Sequence, residues 1–343
     1  MQRSPIQWTD FTANPLKYRA ADGRVVWACE KLSAGCKNCY AADLSLRYGG
    51  VRRAGEWNAA TMAMLKPFLD ENELHAMRTY KPASGQRVFV GDMTDIFGDW
   101  VSDDLLNRLF SETLERRTDV TWQILTKRAS RMCRYLSWRY GPDDECPRGR
   151  IPARHIHVGV SVEGQREADE RIGHLLMTPA AVRFISAEPL LEATDLHLGG
   201  GFCRACGEWT KGTIDGHCFN PDLPCFAGEM AVADGIDWVI VGGESGHRAR
   251  AFDLEWGRAI VAQCKAAHVP VFVKQLGANA VVRNDDRHEQ WPGCTVPLDD
   301  DYEPRYQGET APLVFHHSHG ADPKEWPRGL RVRQFPTPIQ RIA

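Results

Sequence analysis

From residue 88 onward, short apolar runs alternate with polar clusters, and every run ends in the same way. Val88-Phe89-Val90 gives way to Gly91-Asp92-Met93-Thr94-Asp95, Trp122-Gln123-Ile124-Leu125 to Thr126-Lys127-Arg128, and His157-Val158-Gly159-Val160 to Ser161-Val162-Glu163. Val182-Arg183-Phe184-Ile185 leads into Ser186-Ala187-Glu188-Pro189, and Trp238-Val239-Ile240-Val241 into Gly242-Gly243-Glu244-Ser245. The last run, Val269-Pro270-Val271-Phe272-Val273, ends in Lys274-Gln275. Uninterrupted β-branched and aromatic runs predict strands covered on both faces, as in a parallel sheet.

Helical spacing fills the gaps between these runs. Ser102-Asp103-Asp104 followed by Leu105, Leu106, Leu109, Phe110 and Leu114 predicts a capped amphipathic helix with acidic residues in its first turn. Asp253 is placed to cap a second helix carrying Leu254, Ile260, Val261 and Cys264. The alternation predicts an α/β fold of successive βα units, a partial or complete (β/α) barrel, with an open doubly wound sheet as the alternative. In a barrel the polar clusters at the carboxyl ends of the strands line a common mouth. The first strand is expected at Gln7–Thr12 or at Arg24–Ala28, which puts the cysteine-rich stretch after it at the same mouth.

That stretch is Cys29-Glu-Lys-Leu-Ser-Ala-Gly-Cys36-Lys-Asn-Cys39-Tyr40. Structural zinc prefers four closed ligands, whereas an iron–sulfur cluster on three cysteines leaves one iron open to a further ligand. A zinc site completed by a remote histidine is the competing reading. A second set is Cys203-Arg-Ala-Cys206, then Cys218 and Cys225, inside the Gly/Pro-rich segment 199–228. This CxxC followed by two more cysteines predicts a four-thiolate insert holding zinc or an auxiliary Fe–S cluster, with His217 able to replace one thiolate. With few apolar residues the insert needs metal ligation to fold.

Composition narrows the class. The chain has 343 residues, 43% apolar and 25% charged, enough for one large core. A net charge of −3 supplies no global attraction to nucleic acid, so any polynucleotide contact falls to local patches such as Arg52-Arg53 or Arg328, Arg331, Arg333 and Arg341. Met1-Gln-Arg-Ser-Pro lacks the apolar core of a signal peptide, and no apolar run approaches the roughly 18 residues that span a bilayer. The expectation is a cytoplasmic protein without a membrane partner, in which clustered cysteines mean metal rather than disulfides. The tail from 281 to 343 is expected to form an appended extension or lid.

Ile6-Gln7-Trp8-Thr9, Asn14-Pro15, Gly35-Cys36-Lys37-Asn38-Cys39-Tyr40-Ala41, Leu125-Thr126-Lys127-Arg128, Ser186-Ala187-Glu188-Pro189-Leu190 and Gly242-Gly243-Glu244-Ser245 occur in an order that resembles the phage and bacterial three-Cys-motif family, a radical-SAM-like family. The resemblance runs over about residues 5–280. It implies a barrel of the radical-SAM type over 1–280, with the Cys-rich insert at 199–228 and an extension over 281–343. It also implies a 4Fe–4S cluster on Cys29, Cys36 and Cys39, with S-adenosylmethionine on the open iron. Cleavage of that cofactor yields a 5′-deoxyadenosyl radical, so an electron-donor protein is implied too. Six residues separate Cys29 from Cys36, where the common radical-SAM pattern has three.

The roles that follow are expectations. Asp92, Thr94 and Asp95 are assigned to the methionyl amino group, and Lys127 and Arg128 to its carboxylate. Ser161, Glu163, Ser186 and Glu188 are assigned to ribose or substrate; Gly243 and Glu244 to close backbone approach and to adenine or ribose. The implied reaction is a rearrangement or isomerisation of a hypermodified nucleobase in phage DNA, in the host cytoplasm if the gene is phage-borne, beside a three-Cys-motif partner protein. The rival is an Fe–S or zinc module that binds or repairs nucleic acid without radical chemistry. A purely structural metal protein is the third reading.

Overall fold

The computed structural model describes residues 1–47, 57–81, 83, 85–141, 152–198, 235–283, 310–316 and 318–336. Short strand pairs at 201–202, 209–210, 213–214, 217–218 and 294–295 are described for their backbone alone. Two compact units divide the chain: the first takes the described part of Met1–Val160 with His174–Phe184, the second Ser161–Gly173 and the described residues from Ile185 on.

The first unit opens with β1 (Gln2–Arg3) antiparallel to β2 (Phe11–Ala13). Then β3 (Leu16–Arg19), β4 (Val25–Val26) and, further along, β5 (Lys66–Leu69) build a small antiparallel sheet in the order β4-β3-β5. Around it lie α1 (Tyr40–Arg47), α2 (Ala59–Ala63) and α3 (Glu71–Thr79). The alternation expected from sequence follows: β6 (Arg87–Val90), α4 (Asp103–Leu109) with a π-helical turn Phe110–Leu114, β7 (Thr121–Thr126), α5 (Ala129–Tyr140) and β8 (Ile156–Ser161). Strands β2, β6, β7 and β8 are parallel, with Phe11 opposite Val88, Val88 opposite Trp122 and Trp122 opposite Ile156.

Chain order continues with α6 (Gln165–Met177) and β9 (Val182–Ala187), then the two-residue pairs β10 (Gly201–Phe202) with β11 (Trp209–Thr210) and β12 (Thr213–Ile214) with β13 (His217–Cys218). The second unit holds β14 (Trp238–Gly242), β15 (Phe252–Asp253), α7 (Leu254–Ala266) and β16 (Val271–Gln275), with β16 parallel to β14. Its last strands are β17 (Ala280–Arg283), β18 (Cys294–Thr295), β19 (Thr310–Pro312) and β20 (Val314–Phe315). The main sheet has eight strands in the order β1-β2-β6-β7-β8-β9-β14-β16. The α/β class and the parallel succession of strands are as the pattern predicts.

Local chemistry explains the boundaries. Ser102 caps α4 by accepting the Leu105 amide at 3.4 Å, and Asp253 caps α7 by accepting the Glu255 amide at 2.9 Å. The central strands are apolar on both faces because both are covered: Val88, Trp122, Ile124, Val160, Ile240 and Val241 are fully buried. Two expectations shift. Residues 6–9 close a turn, with the Thr9 amide on the Ile6 carbonyl at 3.3 Å, so the first parallel strand begins at Phe11 rather than Gln7. The alternative at Arg24–Ala28 shrinks to β4, and the β3–β4 hairpin stands between the first parallel strand and the cysteines.

The segment expected as an extension is packed where it is described. Trp326 and Leu330 are fully buried, and the backbone of residues 332–334 bonds to β16 through Val273 N–H to Val332 O at 2.8 Å and Gln334 N–H to Val271 O at 2.9 Å. This pairing covers the outer edge of β16, which an unprotected strand would leave open to other chains.

Candidate functional site

The cysteine loop is gripped on both sides of Cys29. Upstream, the Thr94 hydroxyl donates to the Ala28 carbonyl at 2.7 Å and accepts from the Tyr18 hydroxyl at 2.8 Å, which in turn accepts from the Trp100 indole N–H at 2.8 Å. Downstream, Arg128 donates to Glu30 at 2.8 Å. Arg128 also lies 3.6 Å from Asp95 and 3.6 Å from Asp99, with its guanidinium 4.5 Å from the Trp100 ring centre. Thr94 and Asp95 come from the turn after β6, and Arg128 from the end of β7. The polar clusters at these strand ends therefore converge on the loop that bears the thiols.

Asp95 is the hub of this bracket. Its carboxylate accepts the Thr126 hydroxyl at 2.7 and 2.8 Å, the Lys127 amide at 3.0 Å and the Phe97 amide at 3.0 Å. The Thr126 hydroxyl also accepts the Arg128 amide at 2.9 Å. A carboxylate accepting this many donors is held in place. Thr94, Asp95 and Arg128, expected to bind a cofactor directly, thus spend much of their bonding capacity on positioning the loop.

Cys29 and Cys39 pack against one apolar cluster of Ala41, Trp57 and Met93. Cys36 lies in a 3-10 turn Ala34–Cys36, and Tyr40 opens α1 directly after Cys39. The three thiols sit in different electrostatic surroundings. Burial pushes the Cys29 thiol up to about 12, Asp95 adds to the rise, and Arg128 opposes it. Burial raises Cys39 as well, with Cys36 adding to it and Lys127 opposing. Burial would also raise Cys36, but the Lys127 ammonium and hydrogen bonds from Ser33 and Leu32 overcome it and hold that thiol below its ordinary value. Lys127, expected at a ligand carboxylate, stands where its charge lowers two of the thiols.

Asp92 stands at the rim. Burial raises its carboxyl, against hydrogen bonds from Asn14 at 2.6 Å and from Tyr40 at 3.4 Å. Asn14 also accepts the Met93 amide at 3.0 Å, so one amide side chain after β2 fixes the turn after β6. Glu30, Tyr18, Asn14 and Trp100 have no assigned role in the sequence reading. Asn14 was marked only by its place in the Asn14-Pro15 motif, and Glu30 only by its place next to Cys29.

The remaining candidates belong to the second unit. Ser161 and Ser186 are buried, and the Ser186 carbonyl accepts the Val162 amide at 2.9 Å. Glu163 is fully buried and paired with Arg171 at 3.0 Å, a structural ion pair inside the unit. Glu188 is ion-paired with Lys274. Glu244 takes the Arg250 guanidinium and accepts the Arg250 amide at 2.8 Å, which folds the loop after β14 back on itself. A Cβ on Gly243 would stand 2.5 Å from the Leu276 carbonyl and 2.9 Å from the Phe252 Cβ, so that glycine is required by neighbouring protein atoms.

Among the described residues no group of three or more His, Cys, Asp or Glu side chains stands arranged to hold a metal ion. Cys203, Cys206 and Cys225 lie outside the described residues, and Cys218 falls in β13, where only the backbone is described. None of the described helices is long and apolar enough to cross a membrane.

A family model described as "Protein of unknown function (DUF5131)" matches residues 3–302. No curated protein and no solved structure matches the chain.

Proposed function

The chain belongs to that family, and we propose that it is a radical S-adenosylmethionine enzyme whose 4Fe–4S cluster sits on Cys29, Cys36 and Cys39. One observation carries the reading. The loop bearing three thiols is bolted to the carboxyl ends of β6 and β7 through Thr94–Ala28 and Arg128–Glu30. In a (β/α) architecture that end of the sheet is where chemistry is done.

The donor set suits such a group. Three soft sulfur ligands lie on one short loop, and each thiol's proton affinity responds to another cysteine or to the cation Lys127. Cys29 and Cys39, whose thiols desolvation raises, would release their protons when a cluster binds, so assembly is favoured by rising pH. When bound, the cluster would supply the single electron that cleaves the sulfonium of S-adenosylmethionine. The chain's own residues hold the loop and keep Lys127 beside the thiols.

The radical-SAM type of the barrel, the nucleobase substrate in phage DNA and an isomerase-type outcome belong to the same proposal and rest on the resemblance. So do an electron-donor protein and a three-Cys-motif partner. Cys203, Cys206, Cys218 and Cys225 are proposed as a zinc site or auxiliary cluster on their spacing alone.

The test is anaerobic reconstitution with iron and sulfide, followed by reduction in the presence of S-adenosylmethionine. Release of 5′-deoxyadenosine supports the proposal. A colourless protein that holds zinc alone overturns it, and a brown protein that cleaves nothing with any DNA or nucleotide leaves the rival binding module in its place.

A further inference from the structure

The small antiparallel sheet β4-β3-β5 is separate from the main sheet and has two unlike faces. Strand alternation sends Leu16, Tyr18, Val26 and Leu69 inward, where all are buried. On the other face the register sets Lys17 opposite Phe68, and Arg19 opposite both Lys66 and Val25. Trp27 joins that face, its ring centre 5.9 Å from the Lys17 ammonium. Arg19, Val25 and Lys66 are exposed, and Lys17, Trp27 and Phe68 are half-buried. None of these six residues received a site role in the sequence reading.

Cations and rings alternate here. The Arg19 guanidinium stands 4.9 Å from the Phe68 ring centre. The three strands contain no carboxylate, and the acids that flank them are committed. Asp70 holds Lys17 at 2.6 Å, and Asp22 in the β3–β4 turn holds Arg24 at 2.7 Å. That leaves Arg19, which donates to the Gly23 carbonyl at 3.4 Å, and Lys66, neither with an anionic partner among the described residues. In a chain of net charge −3, the face is a local excess of positive charge beside aromatic surface.

One polymer supplies both complements. Phosphates neutralise exposed cations, and every base has a π-face that stacks on a ring or a guanidinium plane. A duplex has no free base face to offer the rings, and an acidic peptide has nothing to stack. We propose that this face binds single-stranded nucleic acid, with phosphates on Arg19 and Lys66 and a base stacked on Phe68. None of the six residues is a thiol, so binding does not depend on a cluster, and its failure leaves the metal reading as it stands.

The test uses metal-free full-length protein and a fluorescein-labelled oligothymidylate of about 15 nucleotides, read by fluorescence anisotropy. Binding is expected to weaken as potassium chloride rises, the logarithm of the association constant falling linearly with that of the salt. Arg19→Gln and Lys66→Gln are each expected to weaken binding and to reduce that slope by about 0.7, the share of one single-strand phosphate. Phe68→Leu is expected to weaken binding about tenfold or more at an unchanged slope. Arg134→Gln, which removes an exposed cation of α5 instead, is expected to bind as the wild type does. Thermal unfolding confirms that each variant folds. The proposal is overturned if the oligonucleotide does not bind at micromolar protein in low salt, or if the two glutamine variants keep the wild-type affinity and slope. It is overturned equally if Phe68→Leu binds as the wild type does, if Arg134→Gln weakens binding as much as the face variants do, or if duplex DNA or polyglutamate competes as well as unlabelled oligothymidylate.

Discussion

Arg128 and Glu30 form a 2.8 Å ion pair that ties the end of β7 to the residue beside Cys29. The Arg128 side chain is only 5% exposed, so its charge is matched by protein rather than water. Removing it takes a charge partner from Asp95, which keeps its hydroxyl and amide donors, and from Glu30, which is 28% exposed, so the loss is expected at roughly 1–3 kcal/mol. Arg128→Ala is expected to lower the unfolding midpoint in urea by that equivalent. Arg128→Lys keeps the charge and loses the fork, and is expected to fold but to retain less iron after reconstitution. Full iron retention in Arg128→Lys would separate the ion pair from the metal site.

Thr94 links Tyr18 to the Ala28 carbonyl. Thr94→Val conserves the shape and deletes the hydroxyl, stranding a buried carbonyl and a buried phenol, at a cost of about 1–3 kcal/mol. Thr94→Ser should restore most of that loss. Chemical denaturation of the two variants side by side decides the point, and equal stability would show that the hydroxyl is dispensable.

His157 in β8 is half-buried, its enclosed Nδ1 has no partner, and desolvation lowers its pKa to about 4. The unfolded chain protonates this histidine near its ordinary value of about 6.5 while the folded chain does not. Its contribution is therefore complete above about pH 6.5 and is lost as pH falls from there towards 4, a change of about 3 kcal/mol. His157→Leu should flatten the pH dependence of stability across that window. An unchanged slope in the variant would assign the dependence to other groups.

Gly243 approaches protein backbone. Gly243→Ala drives a methyl to 2.5 Å from the Leu276 carbonyl, and overpacking of this kind costs about 1–3 kcal/mol. The variant is expected to melt earlier, with its loss of function tracking its loss of fold. Native stability with selectively weakened binding of S-adenosylmethionine would support the ligand role expected for Gly243.

The parallel strands, the α4 and α7 caps and the convergence of polar clusters from β6 and β7 were legible in the sequence, because burial on both faces and capping are local signals. The first strand was less legible: Ile6-Gln7-Trp8-Thr9 has strand-like residues, yet a turn claims them and pairing with Val88–Val90 starts only at Phe11. The partners of the candidate residues were not legible at all. Glu30 meets Arg128 across 98 positions and Asn14 meets Asp92 across 78, separations that only the sheet topology brings together. Sequence pattern therefore singled out Asp95 and Arg128 but not their protein partners, Thr126 and the Lys127 amide for the one and Glu30 for the other.

The most direct measurement is the metal content of anaerobically reconstituted wild type beside Cys29/Cys36/Cys39→Ala and Cys203/Cys206/Cys218→Ala. The account predicts about four iron and four sulfide per chain at the first set. That iron is lost in the first variant and kept in the second. Iron retained by the Cys29/Cys36/Cys39→Ala protein, or zinc as the sole metal of the wild type, would contradict it.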